Sequence, residues 1–162
     1  MSNYNQIPIN IAWYLSGFVD GEGSFNISFR KKDDYKTGWQ PVLSFNVSQR
    51  EKTILALMKH HFKCGIIKAR QDGLHSYDVT NPKMLKEFIL PFFTKYNFFS
   101  QRKKKNFAIF KKAVELMFEK KHLTEAGLKE LVELREKINL GAGRTRKYVK
   151  KDILSESSET IR

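Results

Sequence analysis

Two carboxylates, each followed by a glycine, stand near the N-terminus, where an apolar segment ends. Residues 9–19 are apolar or small at nearly every position, which predicts a helix built for burial or pairing, and Asp20 and Glu22 follow it. Gly21 and Gly23 can leave helical geometry without steric cost, so we expect the helix to end here. Carboxylates, carbonyl oxygens and water suit a hard cation such as Mg²⁺. The stretch is a candidate metal site, although a turn capped by Asp20 beside a solvated Glu22 would use the same residues.

The charge of the chain favours a nucleic-acid partner. Its 162 residues include 30 Lys and Arg against 17 Asp and Glu, which gives a net charge of +13. This is the electrostatic footprint of a protein that neutralises phosphates, and such binding weakens steeply with salt. An apolar fraction of 41% with 13 Phe is enough for a real core and argues against disorder. We expect one domain over residues 1–162.

Other common chemistries find little support. Cys64 is the single cysteine, which excludes an internal disulfide framework and a cysteine-rich zinc site, and the four histidines show no metal-ligand spacing. The first ten residues lack the regions of a signal peptide, and no apolar run approaches the roughly 20 residues that span a bilayer. We expect a soluble intracellular protein with no membrane partner.

A long β-hairpin is predicted directly after the two carboxylates. Apolar and polar side chains alternate with period two in residues 24–32, and the pattern returns in a second strand after a turn at residues 33–38. A two-stranded ribbon fits the major groove of B-DNA, although a solvated sheet face would look the same. The candidate DNA contacts of the outward face and turn are Asn26, Ser28, Arg30, Lys32, Tyr35, Gln40, Ser44 and Asn46.

The unit of a helix and two strands is then repeated. Residues 51–62 predict an amphipathic helix, and a shorter hairpin turns at Asp72–Gly73, with Lys68 and Arg70 on one face as further DNA contacts. The pair Asn81–Pro82 predicts the start of a third helix, which we expect Pro91 to end. The order αββαββα over residues 1–99 indicates an α+β fold.

Residues 100–162 predict additional helices and a basic tail. Ser100 is a plausible N-cap for a helix whose first turns carry the basic cluster of residues 102–105. Positive charge is unfavourable at a helix N-terminus, so this cluster favours contact with phosphate over a merely solvated face. A further helix is expected from Thr124 until Gly141 stops it. The tail reads as an arm that contacts the DNA backbone, through Arg144, Arg146 and Lys147.

The sequence LSGFVDGEG over residues 15–23 resembles the LAGLIDADG motif of homing endonucleases. The resemblance implies an αββαββα fold with extra C-terminal helices, in which a curved antiparallel sheet forms a DNA-binding saddle. It implies that Glu22 and the carbonyl of Gly21 coordinate a catalytic Mg²⁺ or Mn²⁺ and that Asp20 is a structural acid. The small Ser16 and Gly17 would let the motif helix pack closely on its counterpart, through a seam at residues 15–19.

The same resemblance implies two further active-site residues. Gln49 falls where such proteins place a polar residue that orders water near the scissile phosphate. The basic residue that completes the site is assigned to Lys103, with Gln101 and Arg102 as competing registers. Thr53 stands where some relatives have an arginine, so the resemblance does not extend to that part of the water network.

The function implied is a site-specific double-strand DNA endonuclease of the intron-homing type. One motif per chain supplies one set of carboxylates, so we expect a homodimer on a long, pseudo-palindromic target. The gene would lie within an intron of an organellar or bacterial genome. An RNA maturase that binds intron RNA and a non-cleaving DNA-binding protein on the same fold are the alternatives. A basic ribosome-associated protein ranks last, because it leaves the glycine-flanked acids unexplained.

Overall fold

A computed structural model describes residues 6–143 and 145–159. The order αββαββα is confirmed, and the elements combine in a mixed α/β fold with further helices after it. In chain order they are α1 (Ile9–Glu22), β1 (Gly23–Lys31), β2 (Trp39–Gln49), α2 (Thr53–Phe62), β3 (Ile66–Ala69), β4 (His75–Val79), α3 (Pro82–Met84), a π-helical turn (Leu85–Ile89), α4 (Leu90–Lys95), α5 (Gln101–Phe118), a 3₁₀ turn (Lys121–Leu123), α6 (Glu125–Lys137) and α7 (Lys150–Glu159).

The four strands form one antiparallel sheet in the order β1-β2-β4-β3. The predicted period of two is confirmed: Phe25, Ile27 and Phe29 are buried in β1, and their neighbours in sequence are less buried or exposed. In β2, Leu43, Phe45 and Val47 are buried in the same way. One face of the sheet therefore packs on the helices, and the other carries the polar side chains.

Phe25 lies at the centre of the core. Ring centroids of five other phenylalanines, from β2, α4, α5 and the segment before α5, lie within 6.0 Å of its own: Phe45, Phe93, Phe98, Phe107 and Phe110. Aromatic rings in edge-on and offset contact at such distances add to the stabilisation that burial of their surface provides. The hydrophobic core extends from Ile7 to Ile153, so the C-terminal helices share it with the sheet.

The helix α1 is longer than expected. Gly21 does not release the chain, because helical geometry continues to Glu22 and the strand begins at Gly23. Gly23 is required there by close packing: a Cβ at this position would lie 2.5 Å from Val19 Cγ1 and 2.9 Å from Val19 O. Both carboxylates therefore stand in the last turn of the helix.

Two predicted helix ends are wrong. Pro91 does not end the third helix, because it lies in the first turn of α4, where a proline costs no hydrogen bond within that helix. The π-helical turn before it leads into α4 without a break. Gly141 does not stop α6, which ends at Lys137, because the backbone becomes extended at Ile138 (φ −80°, ψ 143°).

Part of the expected basic arm packs against the domain. The ring of Tyr148 meets that of Trp39 edge-on at 4.8 Å between centroids, and Ile153 of α7 is buried. Arg135 Nη1 donates to the carbonyl of Tyr148 at 2.9 Å. The segment before α7 is thereby held against the β1–β2 hairpin. No helix within residues 6–143 or 145–159 combines the length and apolar character needed to cross a bilayer.

Candidate active site

Three elements meet beside Glu22. The residue ends α1, Gln49 ends β2, and Lys103 lies in the first turn of α5. Gln49 Nε2 donates to Glu22 Oε2 at 3.3 Å, and Lys103 Nζ donates to the carbonyl oxygen of Gly23. Folding thus brings together Glu22 and two residues that lie 27 and 81 positions further along the chain, Gln49 and Lys103.

Asp20 joins the end of α1 to the start of α5. Its Oδ2 accepts hydrogen bonds from the backbone N–H groups of Phe99 at 3.0 Å and Ser100 at 3.1 Å, and its Oδ1 accepts from Ser100 Oγ at 2.6 Å. Partial burial acts to raise the pKa of Asp20, but the hydrogen bonds from Ser100 and Phe99 outweigh it, so the pKa is lowered overall. Asp20 is therefore held as a carboxylate by donors of its own chain.

Lys103 is the half-buried member of the site. Desolvation lowers the pKa of its ammonium group, an effect that the nearby Asp20 carboxylate partly offsets. Of the competing registers, Gln101 is exposed, and Arg102 points to another loop, where Nη2 donates to Leu140 O at 3.4 Å. The side chain that reaches the strand beside Glu22 is that of Lys103. Ser100 caps the helix as predicted, its Oγ accepting from Lys103 N at 3.2 Å.

The geometry at Glu22 fits a divalent cation that takes its remaining ligands from water or from a bound molecule. Its side chain is exposed, and the carbonyl of Gly21 belongs to the last helical turn, where carbonyl groups lack partners within the helix. The negative end of the helix dipole also lies there. Within the described residues no cluster of three or more His, Cys, Asp or Glu could enclose a metal ion. The donor set thus suits Mg²⁺, which binds through one or two carboxylates, water and substrate phosphates.

Cross-strand register arranges the outer sheet face in polar rows. Asn26 stands opposite Ser44, and Asn46 stands between Ser24 of β1 and Asp78 of β4. Asn46 Nδ2 donates to Asp78 Oδ1 at 2.5 Å, so the amide of Asn46 is oriented before any ligand arrives. Ser28, on the same face, donates to Val42 O at 3.3 Å.

The hairpin tip carries the long side chains. Arg30 is exposed and stands opposite Gln40. Lys32 lies just after β1, with its Nζ 5.3 Å from the ring centroid of Tyr35 and 3.9 Å from a carboxylate oxygen of Asp34. The surface of the tip is therefore basic with one aromatic ring.

The second hairpin adds two cations to the same face. Lys68 of β3 stands opposite Ser76 of β4. Arg70, just beyond β3, pairs with Asp72 at 2.7 Å and donates to Ser48 Oγ at 3.3 Å. Arg70 is thus tied into the face near the end of β2.

The tail residues differ from the expected free arm. Arg146 donates to Glu136 Oε2 at 2.5 Å and to the carbonyl of Arg135 at 3.0 Å, so it helps to fix the segment to α6. Lys147 is exposed, with its Nζ 5.3 Å from the ring centroid of Tyr148. Arg144 lies outside the described residues.

The small residues of α1 divide between two faces. Ser16 is buried, and its Oγ donates to the carbonyl of Tyr96 at 2.7 Å, so it faces the chain's own core. The expected seam at residues 15–19 is wrong for Leu15 and Val19, which are fully buried. Gly17 is exposed, and a Cβ placed there would meet no atom within 4 Å. The outward face consists of Asn10, Trp13, Tyr14, Gly17 and Gly21.

Three residues near the site were not singled out from the sequence. Asp78 and Ile66 extend the row of Asn46 on the outer sheet face, and Ile66 is 50% exposed there. The alternation of residues 76–80 carries a signal for Asp78, since it has the parity of Ser76. Asn139 had no such signal, because its contacts depend on where α6 ends.

The sequence of the chain and its fold identify the class of protein. A family model described as LAGLIDADG endonuclease matches residues 15–114, which is more than half of the chain. The chain belongs to this family. It is 34% identical to a probable intron-encoded endonuclease of Neurospora crassa over 138 residues, which are 83% of this chain and 30% of that protein.

Solved structures repeat this relationship. The endonuclease I-SmaMI, bound to an uncleaved DNA target in the presence of calcium ions, superposes with a TM-score of 0.78 at 35% identity, over 89% of this chain and 47% of that one. The archaeal intron-encoded homing endonuclease I-Vdi141I, in complex with DNA, gives a TM-score of 0.85 at 29% identity, over 93% and 96%. The chain thus spans about a third of the Neurospora relative, half of I-SmaMI and nearly all of I-Vdi141I.

Replacing Asp20 by Asn should destabilise the fold. One of the two oxygens that accept from three donors becomes an N–H₂ group, so at least one donor loses its acceptor and we expect a loss of roughly 1–2 kcal/mol in the free energy of unfolding at neutral pH. The lowered pKa means that the carboxylate stabilises the fold above its ordinary pKa of about 3.9 and loses that effect as pH falls through the lowered value. The difference in the free energy of unfolding between the wild type and Asp20→Asn should therefore become smaller in acid.

Urea denaturation at several pH values measures this difference. The exposed Asp33 in the hairpin turn offers a control, and Asp33→Asn should leave the free energy of unfolding nearly unchanged. Equal stability of the wild type and Asp20→Asn at neutral pH would contradict the role given to Asp20.

Proposed function

We propose that the protein is a site-specific, metal-dependent endonuclease that cuts both strands of DNA in the manner of intron-homing nucleases. The observation that carries this proposal is the convergence of Glu22, Gln49 and Lys103 at one end of the polar sheet face. The net charge of +13 supports a DNA partner. The names of the relatives, as intron-encoded or homing endonucleases complexed with DNA, support the reaction and an origin within an intron.

The reaction proposed is hydrolysis of a phosphodiester bond. Water adds its oxygen to phosphorus, the bond to the 3′ oxygen breaks, and that oxygen leaves with a proton. Gln49 already donates to Glu22, so its amide oxygen is free to orient the attacking water. Lys103 has three donors and uses one on Gly23, which leaves two for the charge that develops on the phosphate. Glu22 and Gly21 would hold Mg²⁺ or Mn²⁺, which activates water and polarises the phosphate.

Asp20, Ser16 and Gly17 serve the site indirectly in this proposal. Asp20 sets where α5 begins, and Ser16 fixes α1 to the segment before α5. The sheet face binds the major groove through the residues of its polar rows and tip, and Lys147 contacts the DNA backbone. Arg146 adds positive charge for DNA binding, and its hydrogen bond to Arg135 O also holds the segment before α7 against α6.

A second copy of the chain is proposed to complete the site. One copy supplies one Glu22, whereas cutting two strands requires two sets of carboxylates. The outward face of α1 offers two exposed aromatic rings beside two glycines, with Trp13 43% and Tyr14 54% exposed. A groove of about 970 Å³ adjoins this face and reaches from Tyr14 to α2. Two such faces packed about a two-fold axis would place both Glu22 residues side by side.

Maturase activity and DNA binding without cleavage remain the alternatives. Each keeps the fold and the positive charge, and neither requires an exposed acid beside Gln49. The intron that encodes the chain would, on the maturase alternative, splice faster when the protein is added. The cleavage assay below separates these functions directly.

Replacing Glu22 by Gln should abolish cleavage while DNA binding persists. The amide keeps the shape of the side chain but removes the charge that holds the metal, so we expect a fall in cleavage rate of at least about a hundredfold. The measurement is cleavage of a plasmid that carries the intronless allele of the host gene, with Mg²⁺ or Mn²⁺. Glu125→Gln alters an exposed acid at the start of α6 and is the matched control.

Tight binding without any cleavage by the wild type under Mg²⁺ would rule out the nuclease. If the DNA stays intact while the cognate intron splices faster, the maturase alternative is correct. Equal cleavage by the wild type and Glu22→Gln would show that another group holds the metal.

Replacing Gly17 by Leu should separate the two copies without unfolding either one. A side chain at this position meets no atom of its own chain within 4 Å, and leucine favours a helix more than glycine does. It would, however, fill the space in which the second α1 packs. Sedimentation should show a dimer for the wild type and a monomer for Gly17→Leu, with unchanged helical circular dichroism and no double-strand cleavage.

Ala108 is an exposed position of α5 at which leucine should leave the dimer intact, so Ala108→Leu is the control. A dimeric Gly17→Leu variant would place the interface elsewhere. A wild type that binds and cuts DNA as a monomer would refute the pairing.

Replacing Asp78 by Asn should change which bases are accepted rather than whether DNA is bound. A carboxylate on a DNA-facing surface repels phosphates but accepts a hydrogen bond from the amino group of cytosine, which an asparagine amide pairs with less selectively. We expect Asp78→Asn to relax a single position per half-site in cleavage of a randomised target library. Arg30→Ala should instead weaken binding to all targets and reduce its salt dependence. An unchanged base profile for Asp78→Asn would contradict this role.

A further inference from the structure

The strand that follows Glu22 is an edge strand. Among the strands of the described residues β1 pairs only with β2, so the carbonyl groups along its other edge need partners from outside the sheet. Gly23 O accepts from Lys103 Nζ, and Phe25 O accepts from Asn139 Nδ2 at 2.7 Å. Two side chains from the C-terminal helical region thus hold the same edge, two residues apart.

Asn139 is itself fixed by a reciprocal pair of hydrogen bonds. Its backbone N–H donates to Asn106 Oδ1 at 3.1 Å, and Asn106 Nδ2 donates to its Oδ1 at 3.0 Å. The backbone of Asn139 is left-handed at φ 54°, a conformation that asparagine tolerates better than most residues. The buried Asn106 thus aligns the Asn139 amide with the edge of β1.

Asn106 and Lys103 stand three residues apart on α5 and so share one face of that helix. Together with Asn139 they line a small cleft of about 230 Å³ next to Gly23. The two links from this face to β1 are parallel: one runs directly from Lys103 to Gly23, and the other runs from Asn106 through Asn139 to Phe25. Asn139 lies beyond residues 15–114, where the family model matches.

We infer that Asn139, aligned by Asn106, is a positioning residue of the active site, which holds the edge of β1 against α5 so that Lys103 stays beside Glu22. The inference rests on the proposed nuclease function. Asn139 has no polar group left over for the phosphate, since its amide nitrogen and oxygen are both engaged. It acts through the placement of Lys103 and not by contact with substrate.

The test is the variant Asn139→Gly, which keeps the left-handed backbone free of strain and removes the side-chain hydrogen bonds. Single-turnover cleavage of the target plasmid with Mg²⁺ should slow roughly tenfold to a hundredfold, as expected when a catalytic group is displaced by about 1 Å. The Kd for the same DNA in Ca²⁺ should change less than about threefold. The double variant Asn106→Ala/Asn139→Gly should be no slower than the slower single variant, because the two residues act as a unit.

Lys120→Gly is the matched control, because Lys120 is also left-handed, at φ 58°. Lys120 lies just past the end of α5, 17 residues after Lys103. At the helical rise of 1.5 Å per residue, the two positions are about 25 Å apart. The cleavage rate of Lys120→Gly should equal that of the wild type. Wild-type cleavage matched by Asn139→Gly would overturn the inference and leave the proposed function intact. A parallel rise in Kd with the loss of rate would also overturn it, since that would indicate a general structural role.

Failure of the wild type to cut DNA would refute the proposed function. Hydrogen exchange of the proteins without DNA tests the positioning role of Asn139 even in that case. Peptides that cover the start of β1 and the first turns of α5 should exchange faster in Asn139→Gly than in the wild type and in Lys120→Gly. Unchanged exchange in these peptides would overturn the inference.

Discussion

The carboxylate of Asp20 is the constraint on which the site depends. The chain leaves α1 at Glu22 and returns to the same place about 80 residues later, where Asp20 accepts the N–H groups of Phe99 and Ser100. Because α5 begins directly after these residues, its first turn is set against the end of α1. The hydrogen bonds of Asp20 therefore place Lys103 so that its side chain reaches Gly23 O, next to Glu22. Phe25 of β1 stabilises the same contact between α1 and α5, because its ring packs against Phe98 in the segment before α5 and Phe107 of α5.

The two acids of the motif differ in role because they have different hydrogen-bond partners, although both are carboxylates. Asp20 accepts from three donors, which occupy three of the roughly four lone-pair positions of a carboxylate and leave little for a ligand. Glu22 receives one long hydrogen bond, from Gln49, and remains exposed. The glycine that follows each acid explains the division: Gly21 leaves open space around the helix end, and Gly23 allows β1 to begin against Val19. A chain with net charge +13 can keep one such exposed acid at the end of its polar sheet face.

Features set by a few neighbouring residues could be predicted, and features set by distant packing could not. The strands follow from alternation, and the caps Asn81, Ser100 and Thr124 follow from their hydrogen-bonding side chains, each of which accepts a backbone N–H as expected. Pro91 misled because it lies in the first turn of α4, where a proline removes no hydrogen bond of that helix. Arg146 looked like a free cation, yet Glu136 lies within its reach only once α6 and the tail are folded. Resemblance to a family pointed to Lys103 among its neighbours, whereas residues beyond the shared core, such as Asn139, required the structure.

The helix α1 links the proposed pairing of two chains to the proposed metal site. Its sequence is apolar almost all round, a pattern typical of a helix that is covered on every side. The sheet and core cover Leu15 and Val19, while the hydroxyl of Ser16 is spent on Tyr96 O. The remaining face, with Trp13, Tyr14 and Gly17, stays open in a single chain. Since apolar surface of this kind is stabilised by burial, the same helix that ends in Glu22 also calls for a second apolar surface beside it. Under the proposed function, the need for a partner chain and the need for a second carboxylate therefore arise from the same fourteen residues, Ile9–Glu22.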